Sequence, residues 1–150
     1  MGGDVKWKYI KELIGREKPR LLFMKETQLV RVNSSKCFNL CGSNAISWVH
    51  KGIDSEGGGI LTMWDNKVFN YAKFVDEKGY VLVVGDYKCV ASGKDVKVVI
   101  MNVYAPSASK EKVLLWREIE DVLVNVISPI RCVIGDFNAR LKGDGLIMVR

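Results

Sequence analysis

From residue 60 to residue 103 the chain repeats one pattern, an apolar stretch of strand length followed by a short polar turn. Residues 60–64, 68–75, 80–84 and 96–103 read as four strands, the third continuing toward Val90. Asp65-Asn66-Lys67 and Ser92-Gly93-Lys94-Asp95 supply the turn formers of two hairpins. Strands joined in this way fold as an antiparallel meander, whose apolar face must be covered by another layer. In the fourth strand Val98, Ile100, Asn102 and Tyr104 share one face, and Val99, Met101 and Val103 share the other. Its apolar part is therefore buried on both sides, and its far end presents Asn102 and Tyr104.

The flanking segments provide the covering layers. Asp4 suits the N-cap of a helix in which Trp7, Ile10, Leu13 and Ile14 recur at helical spacing, with Pro19 ending it near Lys18. Leu21-Leu22-Phe23-Met24 is a continuous apolar run, as in a strand buried on both faces, and Glu26 stands at its C-terminal end. Asn33 or Ser34 caps a short helix through Phe38 and Leu40, closed by Gly42. Residues 45–49 form a strand carrying Trp48, and residues 50–59 a loop. In that loop Gly57-Gly58-Gly59 lets the backbone bend or approach another segment closely. No G-K-S/T follows, so a turn suits these glycines better than a phosphate cradle.

Ala105-Pro106 ends the meander. Ser107 or Ser109 caps a long helix whose buried stripe is Leu115, Trp116, Ile119, Val122, Leu123 and Val126, and Ser128-Pro129 stops it. An apolar strand then runs from Arg131 and stops at Gly135, presenting Asp136 and Asn138 on one face and Phe137 on the other. Strand, helix and strand in this order place the helix over one sheet face. Beyond Asn138 only Leu146-Ile147-Met148-Val149 has strand character.

At 150 residues, 48% hydrophobic and 27% charged, residues 1–150 make one domain with a core of its own. A net charge of +6 and a pI of about 9.2 suit a polyanionic partner such as nucleic acid. Cys37, Cys41, Cys89, Cys132 and the single histidine, His50, form no zinc pattern. The cysteines read as reduced thiols of an intracellular protein, nuclear or cytoplasmic and not secreted. There is no membrane-spanning run, no secretory leader, and no Ser or Thr at Lys6 to complete a myristoylation signal after Gly2.

Glu26, Tyr104 with Asn102, and Asp136 with Asn138 each follow a buried apolar run. Gly-Asp-x-Asn by itself is a common turn. Three polar strand ends that converge, however, are how layered α/β folds build a site. Carboxylate oxygens suit a hard cation such as Mg2+, with Mn2+ as a substitute. The corresponding chemistry is metal-assisted attack of water on a phosphodiester, with a carboxylate orienting and deprotonating the water.

Lys25-Glu26-Thr27-Gln28, Gly57-Gly58-Gly59-Ile60-Leu61, Asn102-Val103-Tyr104-Ala105-Pro106 and Gly135-Asp136-Phe137-Asn138-Ala139 occur in that order. Together they resemble the endonuclease/exonuclease/phosphatase family, related in fold to deoxyribonuclease I. They are most similar to the apurinic-endonuclease-like domain of LINE-type non-LTR retrotransposons. The resemblance covers residues 2–140. It implies an α/β (α+β) fold: a partial four-layer α/β/β/α sandwich with the antiparallel meander in the middle of the chain. It also implies that Glu26 binds metal, Asp136 activates or orients the water, Asn138 supports the phosphate and Asp136, and Tyr104 contacts the scissile phosphate. Asn102 matches a supporting, weakly substrate-binding position. The implied partner is DNA, with no membrane and no small-molecule cofactor.

The chain also departs from the family pattern. The Trp-Asn strand at the family's start and the aspartate-histidine pair at its end have no match, and His50 lies too early to substitute. Residues 1–150 therefore correspond to an incomplete domain, with most of the second sheet expected to be missing and strand edges exposed. Phosphate-stabilising groups act as a set, so hydrolysis is expected to be weak or absent. The alternatives are a phosphatase or deadenylase of the same fold, a non-catalytic basic nucleic-acid-binding remnant, and a relic without function.

Overall fold

Residues 2–53 and 58–138 of the computed structural model are described here. They form the helices α1 (Gly2–Glu17), α2 (Ser34–Cys41) and α3 (Ser109–Asn125), and the strands β1 (Leu21–Met24), β2 (Ile46–Lys51), β3 (Ile60–Asp65), β4 (Phe69–Glu77), β5 (Tyr80–Lys88), β6 (Asp95–Tyr104) and β7 (Ile130–Asp136). The strands make two sheets, one ordered β1-β3-β2 and the other β4-β5-β6-β7. All neighbours are antiparallel except β6 and β7, which run parallel because α3 carries the chain back between them.

Strand alternation sorts the side chains into three apolar layers. Ile60 and Trp64 of β3 point toward the second sheet and meet Phe69, Val81, Val83, Val98 and Ile100. Leu61 and Met63, on the opposite face, meet Ile14 of α1 and Cys37 and Leu40 of α2. Across the second sheet, Leu82, Val84, Val99, Met101 and Val103 pack against Leu115 and Ile119 of α3. The layers therefore run helices, sheet, sheet, helix. The two-faced reading of the fourth strand corresponds to its burial between the sheet interface and α3.

The meander is one strand shorter than the turn signals imply. Asp65-Asn66-Lys67 is a turn, but it carries the chain from one sheet to the other and does not form a hairpin. The Asp65 carboxylate accepts from the Lys67 N–H (2.9 Å) and from the Arg20 guanidinium (2.5 Å), and the Asn66 N–H donates to Ala45 O (2.8 Å). These bonds tie the turn to the starts of β1 and β2. Burial agrees, because β3 is sealed on both faces, as a central strand must be, whereas β4 is buried at Phe69 and mostly exposed beyond it.

Other expectations shift by a residue or two. Helix α1 already includes Gly2, so Asp4 lies inside its first turn and does not cap it. Asn33 caps α2, its side chain accepting from the Lys36 N–H, and the Gly42 N–H closes the other end on Phe38 O. Ala108 occupies the N-cap of α3 without a side-chain bond, so neither Ser107 nor Ser109 caps it. Strand β1 is an edge strand, half-buried throughout, and is not sealed on both faces. Residues 146–149 lie outside the described residues.

Candidate active site

Glu26 sits two residues past β1 on a strained turn. Its φ is +52° and that of Gln28 is +53°, in the left-handed region where each side chain costs about 1–2 kcal/mol. Such conformations persist only where the surroundings enforce them, and they gather at functional sites. Here Thr27, between the two, is buried, and its N–H donates to Gly59 O at 3.1 Å. Gly58 lies against the same turn, where a Cβ would stand 2.8 Å from Glu26 Cα. Of the glycine triplet, the two described members serve close approach.

Tyr104 ends β6 and its hydroxyl donates to Glu26 Oε1 at 2.6 Å. Its register partner on β7 is Asp136. The Glu26 acceptor, partial burial and the negative charges of Glu26 and Asp136 push the Tyr104 phenol from 10.0 up to about 12. The phenol is thus a fixed proton donor at neutral pH. Glu26 and Asp136 are both exposed, and Tyr104 stands in contact or electrostatic range of each.

Strand β7 runs through Gly135 to Asp136 instead of stopping at the glycine. Glycine is needed there because a Cβ would lie 2.4 Å from Val103 O of the neighbouring strand. Strand direction does not persist to Asn138, whose φ is +45°. The Asn138 N–H instead donates to Asp136 Oδ1 (3.0 Å) and its side-chain amide to Ala105 O (2.6 Å). The turn reading and the site reading of Gly-Asp-x-Asn thus describe one structure, a side-chain turn that orients the Asp136 carboxylate. Phe137 turns the other way, onto Trp116 of α3 at 5.4 Å between ring centroids.

Asn102 is placed differently from the sequence expectation. It is fully buried between the sheets and offers nothing to a substrate. Its side-chain amide donates to Leu61 O (3.3 Å), Thr62 Oγ1 (3.2 Å) and, more weakly, Met24 O (3.5 Å). It therefore fastens β6 to β3 and to the end of β1, next to Glu26. Two further residues escaped the sequence reasoning. Lys112 of α3 donates to Asn138 O at 2.5 Å, and Thr27 anchors the Glu26 turn. Lys112 carries no motif, because its role depends on α3 crossing beside the β7 exit.

Among the described residues no three His, Cys, Asp or Glu side chains converge as a metal cluster. Glu26 and Asp136 offer exposed carboxylate oxygens, and a Mg2+ ion that keeps most of its waters needs only one or two of these. The donor chemistry fits such an ion.

Two packed sheets flanked by helices, with polar residues at the ends of β1, β6 and β7, make this the deoxyribonuclease I-like, endonuclease/exonuclease/phosphatase fold. Solved structures bear this out. D. rerio TDP2 in complex with a single-strand DNA product matches with a TM-score of 0.66 at 12% identity, over 93% of this chain and 56% of that one. The human Nocturnin catalytic domain with bound sulfate matches at 0.58 and 16% identity, over 92% and 59%. An endonuclease/exonuclease/phosphatase family protein from Bacteroides thetaiotaomicron matches at 0.55 and 13% identity, over 91% and 54%. This chain thus spans somewhat more than half the length of these structures. No protein-family model matches the sequence, and no curated protein does. Among the described residues no helix is long and apolar enough to cross a membrane.

Proposed function

We propose that the chain is part of a Mg2+-dependent phosphodiesterase acting on DNA, of the retrotransposon endonuclease type. The observation that carries this reading is the 2.6 Å bond from Tyr104 to Glu26 with Asp136 in register beside it, which gathers three strand ends at one edge. Asp136, oriented by the Asn138 N–H, takes the proton of the attacking water. Tyr104 keeps its proton at neutral pH; its one hydrogen rests on Glu26 Oε1 and would turn to a phosphate oxygen once Glu26 holds the cation. Glu26 and Asp136 would hold Mg2+ or Mn2+, which when bound supplies positive charge against the phosphoryl oxygens. Asn138 acts on Asp136 through its N–H; one hydrogen of its side-chain amide is engaged by Ala105 O, and the second would support the phosphate. The charge of +6 supports a nucleic-acid substrate.

Turnover is slow on this reading. The single histidine, His50, borders Gly59 and is not a ligand of the phosphate site. The test is nicking of supercoiled plasmid in Mg2+. Slow nicking that EDTA, E26Q and D136A each abolish supports the proposal. Nicking unchanged by D136A refutes it. DNA binding with steep salt dependence but no cleavage identifies a non-catalytic binder instead, and phosphate release from a soluble monoester identifies a phosphatase.

A further inference from the structure

Two sealed polar atoms near the Glu26 turn have no hydrogen-bond partner among the described residues: Thr27 Oγ1 and His50 Nε2. Both border one glycine. A Cβ at Gly59 would stand 2.4 Å from Thr27 Oγ1 and 3.2 Å from His50 Nε2. The two atoms thus face the same small space beside the Gly59 Cα, one from the turn after β1 and the other from the end of β2. A hydroxyl and a neutral imidazole are complementary, since either can donate to the other. Leaving both unpaired in a sealed space would forfeit their hydration with nothing in return.

We infer that His50 is a positioning residue for Glu26: its Nε2 and the Thr27 hydroxyl are linked by hydrogen bonding, directly or through one water, across the space Gly59 leaves open, and the link pins the turn that carries Glu26. The inference rests on the reading of Glu26 as the metal-holding carboxylate. Thr27 is the right place for a pin, because the residues on either side of it hold the two left-handed conformations. The imidazole is suited to it, because burial and the charge of Lys36 lower its pKa from 6.5 and keep it neutral at pH 7. Arg31 and Asp76 line the same cleft as His50, a cavity of about 360 Å3 to whose lining Thr27 does not belong.

The sequence has one histidine, so every imidazole nitrogen resonance in a 15N spectrum belongs to His50. In T27V the Nε2 resonance is expected to move, and in T27S to stay. H50Q, whose side-chain amide reaches close to the Nε2 position, is expected to keep the exchange protection of the Thr27 amide, whereas H50L lowers it about tenfold. An Nε2 resonance unmoved in T27V, or equal Thr27 protection in H50Q and H50L, overturns the inference. Neither measurement uses metal or substrate, so the result stands apart from whether the chain cleaves DNA.

Discussion

Asn102 offers the sharpest test of how the two sheets hold the site. Replacing it with alanine removes one amide donor that serves Met24 O, Leu61 O and Thr62 Oγ1 at 3.2–3.5 Å. These bonds are at the long end, so their loss together with the unsatisfied carbonyls costs about 1–3 kcal/mol, and the small cavity adds about 1 kcal/mol. One term offsets this. Asn102 Oδ1 is itself buried without a partner among the described residues, and that burden disappears with the side chain. With about 1 kcal/mol recovered in this way, the net expectation is a loss of about 1–3 kcal/mol. N102L fills the volume and removes the orphan acceptor, so it should lose less than N102A. N102D keeps the shape but turns a carboxyl toward two carbonyl oxygens and should be the least stable of the three at pH 7.

The carboxyl in N102D also gives the loss a pH signature. Burial raises its folded pKa above the unfolded value of about 3.9. Its relative stability is therefore fullest below about pH 3.9 and is lost as pH rises through the folded value. Urea unfolding followed by tryptophan fluorescence reads all of this. With a slope of about 1–3 kcal/mol per molar, the N102A midpoint should fall by about 1–2 M with the slope unchanged. An N102A midpoint equal to wild type, or N102D as stable as N102L at neutral pH, would refute the assignment of Asn102 as the fastener between the sheets.

Two further outcomes follow from the same geometry. Gly135→Ala should destabilise by about 1–3 kcal/mol through overpacking, because the new Cβ would meet Val103 O at 2.4 Å. It should also displace Asp136, so plasmid nicking should fall more than stability does; an unaltered melting temperature would count against the close approach. In an alkaline ultraviolet titration, Tyr104 should ionise near pH 12, and in E26Q it should move back toward 10.0. The raised value means that the Tyr104–Glu26 contact is intact below pH 10 and lost as pH climbs through 12, so a Tyr104 phenol already titrating near 10 in the wild-type chain would contradict the bond.

Much of the architecture was legible because burial leaves a periodic trace. The two-faced pattern of residues 96–103 and the stripe at Leu115 and Ile119 name the two surfaces that β6 and α3 bury. The site was legible to the extent that Glu26, Tyr104 and Asp136 each follow an apolar run. Where Asn102 would give its support was not legible, for a related reason. Alternation gave its face but not whether that face opened to water or to a second sheet.

The linear order of residues thus determined which segments are strands and helices, which faces are apolar, and which polar groups stand at strand ends, because each of these is a local or periodic property. Only the tertiary structure decided that β3 leaves the meander for the other sheet, that Glu26 and Gln28 are held in left-handed conformations, and that Tyr104 meets Glu26 across 78 residues of chain. Those outcomes depend on packing between segments distant in sequence, where a contact is fixed by what the neighbouring sheet leaves open and not by the residues beside it in the chain.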